Sequence, residues 1–304
     1  MITIPPQLAE NIRYWHGVDG EHWLAELDGL VPELARRWRL DVGEPFADGG
    51  AVSWVAPAGR HDGGDAVLKL YLVDLENAQE PDALAHYDGE GAVRLLEAAP
   101  GAMLLERLSP GTLLWELEDD RQACLVAAGL LRRMWKPPAQ PHQFRSLAGD
   151  AARWAEEIPD VWERAGRPFE RSLAELGVRL AGELAGSQGE QVVLHQDLHG
   201  GNILRSGDGW LAIDPKPLVG EREFDLASLI RDRRWAISEE IVRSRLELCS
   251  AELGLDRERM RGWAIVHALA WGIDDDGADE AMVAVARWLA QGSGFSLTPT
   301  VIAN

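Results

Sequence analysis

The stretch that decides the fold is VVLHQDLHGGNILRSGDGWLAIDPKPL, residues 192–218. Two apolar runs within it, 192–194 and 210–213, are typical of short strands, and they bracket a polar loop that ends at Asn202. A second acid, Asp214, follows directly after the later run. Polar side chains at the ends of strands are held by a rigid scaffold, so this stretch is predicted to be a strand–loop–strand unit that carries the chemistry.

Three side chains of this unit have the types and the spacing that phosphoryl transfer requires. Four residues separate Asp197 from Asn202, and Asp214 follows Asn202 by twelve positions. In such a reaction one carboxylate orients the incoming hydroxyl, and oxygen ligands hold magnesium against the nucleotide phosphates. We therefore predict that Asp197 is the catalytic residue and that Asn202 and Asp214 bind Mg²⁺.

The same residues resemble a known group of enzymes. HQDLHGGN, residues 195–202, is similar to the catalytic loop of kinase-fold enzymes, in which His-x-Asp is followed by four residues and Asn. Its form is closer to aminoglycoside phosphotransferases than to protein kinases, which carry Arg where this chain has Gln196. WLAIDPKPLVGEREFDLASLIRDR, residues 210–233, resembles the streptomycin 6-kinase and hydroxyurea phosphotransferase family. Asp214 matches the aspartate of the kinase Asp-Phe-Gly motif, although Pro-Lys-Pro replaces the usual Phe-Gly.

Periodicity along the rest of the chain predicts strands first and helices later. Helical spacing over 8–40 gives way to extended segments over 42–73, where AVSWVAP and AVLKLYLV predict two strands joined by the turn GRHDGGD. Helical spacing returns over 75–96, interrupted by Asp-Gly-Glu-Gly at 88–91, and GAMLLERL predicts a further strand. Beyond residue 111 the chain is predicted to be helical except for 192–214.

The resemblance implies an α+β fold of the bilobal, protein-kinase-like type. The change from strand-rich to helical character falls near the SPG sequence at 109–111. We expect a strand-rich N-terminal lobe, residues 1–108, to bind the nucleotide. A mainly helical C-terminal lobe, residues 109–304, is expected to carry the catalytic loop and the acceptor site.

The resemblance also implies which residues of the N-terminal lobe hold ATP. Lys69 corresponds to the strand lysine that bridges the α- and β-phosphates, although its alternating neighbours also suit a solvated strand face. The following helix supplies the carboxylate that pairs with this lysine, and we assign Glu80 to that role with Asp82 as the alternative. The turn that covers the phosphates is assigned to three small residues: Gly49, Gly50 and Ser53.

Two further assignments follow from the same likeness, and a third follows from the loop itself. MLLERLSPG resembles the segment that meets the adenine edge, with backbone contacts from Glu106, Arg107 and Leu108. Asp225, in EFDLASL, either contacts substrate or braces the catalytic loop through backbone hydrogen bonds, and we favour bracing. His195 and His199 are four residues apart, but they lie in a glycine-containing loop, so we expect a structural role for His195 rather than a zinc site.

Composition limits the partners. The net charge of −20 disfavours nucleic acid and suits a cationic ligand, although it also serves solubility. The sequence contains no long apolar run and no basic leader with an apolar core, so we expect a cytoplasmic protein without membrane contact, as a monomer or weak dimer.

The combined expectation is an antibiotic-resistance kinase. With ATP and Mg²⁺ as cofactors, it would transfer the γ-phosphate to a hydroxyl of a small cationic or polyhydroxylated acceptor, an aminoglycoside such as streptomycin. The alternatives are the same chemistry on a metabolic acceptor, such as an amino sugar or related polyol, and a non-catalytic nucleotide-binding module. The presence of Lys69, Asp197, Asn202 and Asp214 together disfavours the last alternative.

Overall fold

The chain forms two compact units, Met1–Gly111 and Thr112–Asn304. A computed structural model describes residues 2–47, 49–233 and 237–291. Within these ranges, none of the helices combines the length and the apolar character needed to cross a bilayer. The assignment of the nucleotide to the first lobe and of the acceptor to the second stays a prediction.

The first unit is an antiparallel sheet of five strands with a long helix. The strand order is β1-β2-β3-β5-β4, and every neighbouring pair is antiparallel. Its elements are α1 (Pro6–Trp38), β1 (Leu40–Val42), β2 (Ser53–Arg60), β3 (Asp65–Tyr71), α2 (Glu80–Tyr87), β4 (Leu95–Ala99) and β5 (Ala102–Glu106).

The core of this unit forms because α1 and the sheet each present an apolar face. Leu27 and Ile12 of α1 are buried in one cluster with Trp54, Leu68 and Leu70 of the central strands. All five side chains are at most 1% exposed. Burial of large aliphatic and aromatic side chains contributes about 1.5–3 kcal/mol each, so this cluster fixes the strands that carry Lys69.

The predicted hairpin and the predicted interruption of the helix at 88–91 are confirmed, whereas the helix predicted over 75–96 is shorter, because α2 covers only Glu80–Tyr87 and no helix follows the interruption within that range. Strands β2 and β3 pair from Ser53↔Tyr71 to Gly59↔Asp65, as the sequence indicated. Helix α2, however, ends at Asp88, which has φ 50°, and Gly89 follows with φ 79°. Successive left-handed residues cannot continue a helix, and the chain beyond them is free to form β4.

The second unit is mainly helical, with short strands around the catalytic loop. Strand β6 lies at the boundary between the units. Single 3₁₀ turns occur at Leu114–Glu116, Gly200–Asn202 and Arg222–Phe224. The elements are β6 (Pro110–Leu113), α3 (Asp120–Met134), β7 (Arg145–Ser146), α4 (Leu147–Arg164), α5 (Arg171–Ala185), β8 (Gln191–Leu194), β9 (Ile203–Ser206), β10 (Gly209–Ala212), β11 (Leu218–Glu221), α6 (Ala227–Ile230), α7 (Glu239–Leu253), α8 (Arg257–Trp271), β12 (Ile273–Asp274), β13 (Gly277–Ala278) and α9 (Glu280–Ala290).

The prediction that strands beyond residue 111 are confined to 192–214 was incomplete. Strand β11 pairs antiparallel with β8, and β7 pairs parallel with β11. Strands of two to four residues are too short for an alternation of polar and apolar residues to show in the sequence. The β8–β11 pairing matters for the site, because it returns the chain after Asp214 to the side of the catalytic loop.

Candidate active site

The hairpin of β9 and β10 brings the predicted metal ligands together. Strand β8 ends at Leu194, and β9 and β10 form a hairpin in which Ile203 pairs with Ala212. Beyond the paired end of this hairpin, the Ile213 amide donates to the Asn202 carbonyl at 2.9 Å. Asn202 and the residue before Asp214 are therefore hydrogen-bonded neighbours, and both predicted metal ligands lie at the same end of the hairpin.

The loop that carries Asp197 is closed by its own hydrogen bonds. The Asp197 amide donates to the His195 carbonyl at 2.9 Å, and the Asn202 amide donates to the His199 carbonyl at 2.9 Å. The side-chain nitrogen of Asn202 donates to the Asp197 carbonyl at 3.0 Å. Asn202 thus ties both ends of the loop together and uses its nitrogen to do so, which leaves its amide oxygen as the atom suited to a cation.

Asp225 performs the bracing predicted for it. One carboxylate oxygen accepts the Gln196 amide at 2.7 Å, and the other accepts Trp135 Nε1 at 2.8 Å. Gln196 has φ 67°, a conformation that a side chain larger than glycine adopts only when its surroundings hold it there. Burial raises the pKa of Asp225 to about 6, against the N–H donors that lower it.

His195 is a structural residue in the geometry observed. Its ring Nε2 lies 2.9 Å from the Ile213 carbonyl, so that nitrogen carries the proton and donates it. Among the described residues, Nδ1 has no hydrogen-bond partner. Burial lowers the pKa of His195 to about 4, outweighing the nearby Asp197 charge that raises it. His195 therefore links the loop to the segment before Asp214 as a neutral ring.

The second glycine of HGGN, Gly201, is explained by close packing. The His199 ring stacks on Trp115, with the centroids 5.1 Å apart and the planes 7° apart. A Cβ at Gly201 would collide with the Trp115 ring and would lie 2.9 Å from the His199 ring. Asp232 accepts hydrogen bonds from Trp115 Nε1 at 2.7 Å and from the Gly200 amide at 2.9 Å. One carboxylate therefore holds both the Trp115 ring and the backbone of the loop.

The Asp197 carboxylate faces two cations. Lys216 Nζ lies 3.6 Å from Oδ2, and Arg231 Nη2 lies 3.9 Å from Oδ1. Ser228 Oγ lies 3.3 Å from Oδ1 and 3.1 Å from the Gln196 carbonyl, so these two acceptors share its single proton. Burial by itself would raise the pKa of Asp197, but Lys216, His199 and Arg231 outweigh it and lower the pKa to about 2. Asp197 is therefore fully ionised at neutral pH.

The predicted metal ligands offer the donor chemistry that magnesium prefers. Asn202 contributes an amide oxygen and Asp214 a carboxylate, both hard oxygen donors. Asp214 takes φ 57°, and the following proline fixes the direction of the chain. Within the described ranges there is no cluster of three or more His, Cys, Asp or Glu side chains that could hold a metal by itself. The pair fits a magnesium ion that takes its remaining ligands from nucleotide phosphates and water.

In the first unit, Lys69 and Glu80 form a buried ion pair. Lys69 Nζ lies 2.7 and 2.8 Å from the two carboxylate oxygens of Glu80. The two residues are 4% and 2% exposed, which excludes the solvated strand face for Lys69. Asp82 is exposed, so Glu80 is the carboxylate that meets the lysine.

The turn assigned to the phosphates has little room for larger residues. A Cβ at Gly49 would lie 2.7 Å from the Phe46 side chain, and a Cβ at Gly50 would lie 2.9 Å from the Ser53 carbonyl. Ser53 is the first residue of β2 and is nearly buried. The tight backbone is compatible with the assigned role, which stays a prediction.

The segment assigned to adenine begins at the end of β5. The Glu106 amide donates to the Arg94 carbonyl at 3.0 Å, and the Glu106 carboxylate accepts the Arg94 amide at 2.8 Å. The Glu106 carbonyl and the backbone of Arg107 and Leu108 are then the groups that the prediction assigns to the nucleotide.

Sequence reasoning missed the residues that surround Asp197. Lys216, Ser228 and Arg231 follow Asp197 by 19 to 34 positions, and only the fold brings them back to it. One signal could have found Lys216, because this chain has only three lysines, Lys69, Lys136 and Lys216, among 30 Lys and Arg residues.

Two solved structures of small-molecule kinases share this fold. A thermostable mutant of the aminoglycoside phosphotransferase APH(4)-Ia, solved with ADP and hygromycin B, matches with a TM-score of 0.60 and 12% identity, covering 86% of this chain and 98% of that one. Choline kinase from Cryptosporidium parvum matches with a TM-score of 0.59, covering 86% and 94%. The expected α+β, kinase-like fold is confirmed.

The sequence identifies the family. Residues 37–277 match the family described as aminoglycoside/hydroxyurea antibiotic resistance kinase, and the chain belongs to that family. Streptomycin 6-kinase of Streptomyces glaucescens is 39% identical over 95% of this chain and 97% of its own length. Hydroxyurea phosphotransferase of Kitasatospora aureofaciens is 38% identical over 97% of this chain and 88% of its own. This protein is an ATP-dependent phosphotransferase that acts on a hydroxyl group.

Proposed function

We propose that the protein is an antibiotic-resistance kinase that transfers the γ-phosphate of ATP to a hydroxyl of streptomycin or a closely related aminoglycoside. The observation that carries the proposal is the ionised Asp197 carboxylate, fixed at the end of β8 beside Asn202. The 39% identity to a streptomycin 6-kinase across nearly the whole chain supports this acceptor.

Asp197 orients the acceptor hydroxyl by accepting its hydrogen bond. A carboxyl group with a pKa of about 2 is a weak base, so it does not remove the proton before the phosphoryl group arrives. The acceptor oxygen attacks phosphorus, the bond from phosphorus to the ADP oxygen breaks, and the hydroxyl proton passes to Asp197 late in the step. Positioning and electrostatic stabilisation carry most of the rate enhancement.

The charge of ATP is met by a small set of residues. Lys69, held by Glu80, is proposed to contact the α- and β-phosphates, and Gly49, Gly50 and Ser53 to cover them. Glu106, Arg107 and Leu108 are proposed to meet the adenine edge. Asn202 and Asp214 are proposed to hold magnesium, which when bound neutralises charge on the phosphate oxygens.

The acidity of the chain supports a cationic acceptor. A net charge of −20 attracts a polycation such as an aminoglycoside toward the surface. Hydroxyurea is the second candidate, because a hydroxyurea phosphotransferase is 38% identical over 97% of this chain. It is small and uncharged, so net charge would not assist its binding.

The test is magnesium-dependent ADP release from ATP across a panel of streptomycin, other aminoglycosides, amino sugars and hydroxyurea. The wild type is compared with Asp197→Ala. Asp208→Ala is the matched control, since Asp208 is an exposed acid in the neighbouring β9–β10 turn. We expect streptomycin to stimulate ADP release by the wild type and by the control, and not by Asp197→Ala.

Other outcomes of this assay reassign the protein. Stimulation by an amino sugar alone would make it a metabolic kinase, and stimulation by hydroxyurea alone would select the second candidate. ATP binding without stimulation by any acceptor would contradict the streptomycin proposal. The same preparations, run by size-exclusion chromatography, test the proposed monomer or weak dimer, and fractionation of producing cells tests the proposed cytoplasmic location.

A further inference from the structure

A cation cluster beside Asp197 contains one arginine and one lysine with different surroundings. Arg231 and Lys216 both lie over the Trp271 ring, at 5.3 and 4.4 Å from its centroid. Both approach the same carboxylate, Asp197, but at different oxygens. An aromatic face attracts a cation and holds it near the ring without removing its charge.

Arg231 is held from several sides and acts as a positioning residue. Its Nε donates to His267 Nδ1 at 3.0 Å, and its Nη2 donates to Ser228 Oγ at 3.2 Å. Ser228 Oγ in turn lies within hydrogen-bond distance of Asp197 Oδ1 and of the Gln196 carbonyl. The Arg231 side chain is 11% exposed, so this network fixes the Oδ1 side of the carboxylate from within the protein.

Lys216 faces the other oxygen and is more accessible. Its amide donates to the His195 carbonyl at 3.0 Å, which extends the β8–β11 pairing and sets where the side chain begins. The side chain is 32% exposed, and Nζ stands 3.6 Å from Oδ2 of Asp197, beyond hydrogen-bond distance. An ammonium on a flexible stem at this distance from Asp197 can approach a further anionic group, such as a phosphoryl oxygen.

We propose that Lys216 is a further catalytic residue, which binds an oxygen of the phosphoryl group while that group is transferred. This inference rests on the proposed function. Because Oδ1 of Asp197 faces Ser228 and Arg231, whereas Oδ2 faces the more exposed Lys216, the acceptor hydroxyl uses the Oδ2 side. In-line transfer brings phosphorus to the acceptor oxygen there, and the phosphoryl oxygens come within reach of Nζ.

The chemistry of the step requires such a cation. The attacking oxygen forms its bond to phosphorus, the bridging bond breaks, its electron pair leaves with ADP, and the proton goes to Asp197. Negative charge is spread over three phosphoryl oxygens during this step, and a positioned ammonium stabilises it. Lys216 keeps its own proton throughout. Its position two residues after Asp214 places it on the segment assigned to the metal.

The kinetic test compares Lys216→Met, Lys216→Arg and the control Lys136→Met. We expect Lys216→Met to lower kcat by about 100-fold or more, with KM for ATP and for the acceptor changed little, because the contact exists mainly in the transition state. Lys216→Arg should recover part of the loss, and Lys136→Met should match the wild type. An unchanged kcat in a folded Lys216→Met variant, or a loss confined to KM, would overturn the inference.

Chemical labelling of lysine side chains tests the inference in the absence of any acceptor. An acyl-phosphate derivative of ATP transfers its acyl group to a nearby lysine amine and releases ATP. Mass spectrometry should find Lys69 and Lys216 acylated and protected by excess magnesium–ATP, with Lys136 as the internal control. Labelling of Lys69 without Lys216 would contradict the inference. Protected labelling of Lys216 in a preparation that phosphorylates no acceptor would sustain it while the proposed function fails.

Discussion

The charged side chains of the two units are arranged differently. In the first unit, Lys69 and Glu80 form a buried pair in direct contact, at 2.7 and 2.8 Å. In the second unit, Asp197 has two cations near it, Lys216 and Arg231, at 3.6 and 3.9 Å. A tight pair fixes a lysine in one place, whereas loosely placed charges can adjust when a substrate brings new ones. We infer that the Lys69–Glu80 pair holds the nucleotide in place, whereas the charged groups around Asp197 take part in the transfer step.

The largest expected effect comes from removing the reacting carboxylate. Asp197→Asn keeps the size of the side chain but removes the acceptor of the hydroxyl proton, so kcat should fall by about 1,000-fold. Initial rates of ADP release with saturating streptomycin and ATP measure it. Asp208→Asn, the same change on an exposed turn, should leave kcat unchanged. A kcat within tenfold of wild type for Asp197→Asn would show that this carboxylate does not carry the step.

Breaking the tight pair should affect stability as well as activity. Lys69→Met leaves the Glu80 carboxylate buried without its cation, which should cost about 3–5 kcal/mol of unfolding free energy. Adding Glu80→Gln to the same chain should restore much of that stability without restoring ATP affinity. Urea denaturation and calorimetric titration with ATP separate the two effects. A double variant no more stable than Lys69→Met would contradict the view of a mutually dependent pair.

Loss of the Asp225 carboxylate, which braces the catalytic loop, should have a smaller effect. Asp225→Asn turns an NH₂ group toward the N–H donors of Gln196 or Trp135, leaving one of them unpaired. We expect a loss of about 1–3 kcal/mol in stability and a fall in kcat of about tenfold. Trp135→Phe removes one donor but keeps the carboxylate, so its kcat should fall less. Equal activity of Asp225→Asn and wild type would mean that the loop holds its shape without the brace.

The pH dependence of stability should distinguish the two buried groups of the loop. The folded-state pKa of His195 is lowered to about 4, so the unfolded chain binds the proton first, and stability falls as pH decreases from 6.5 to 4. The pKa of Asp225 is raised to about 6, so the folded chain binds the proton first, and stability rises as pH decreases from 6 toward 4. Each contribution is on the order of 3 kcal/mol, and the two oppose each other.

Single substitutions should therefore expose each contribution. Between pH 7 and pH 4.5, His195→Asn should lose less unfolding free energy than the wild type, and Asp225→Asn should lose more. Urea denaturation at the two pH values provides the measurement. Parallel behaviour of both variants and the wild type would show that neither group titrates in this range.

The smallest expected effect concerns the net charge. If the acidic chain attracts a cationic acceptor, KM for streptomycin should rise by about threefold between low and physiological ionic strength. The same titration with hydroxyurea, in any variant or relative that accepts it, should show no such rise. A streptomycin KM that is independent of salt would show that the net charge does not assist acceptor binding.

The sequence revealed the catalytic loop because its residues are consecutive. Asp197, Asn202 and Asp214 lie within 18 positions, and the apolar runs around them indicated the strands. The hairpin that carries Lys69 was equally readable, since β2 and β3 are neighbours in the chain. Local pattern was sufficient wherever the contacts were local.

What the sequence did not reveal depends on contacts between distant residues. Lys216 and Arg231 meet Asp197 only because β11 pairs with β8 and α6 packs behind the loop, and neither short element shows in the periodicity. The choice of Glu80 over Asp82 required the register of α2 against β3, which one sequence does not contain. The first two residues of β4, Leu95 and Leu96, were predicted to be helical because leucine favours a helix when tertiary pairing is ignored.

The central claim, that Asp197 directs phosphoryl transfer to a hydroxyl of streptomycin, is tested most directly by the product itself. Wild type and Asp197→Asn are each incubated with streptomycin and magnesium–ATP, and the product is followed by ³¹P NMR. We predict that one new phosphate monoester resonance appears with the wild type and is absent with Asp197→Asn under the same conditions. Streptomycin recovered unmodified from a wild-type enzyme that binds ATP, or equal product from both proteins, would contradict it.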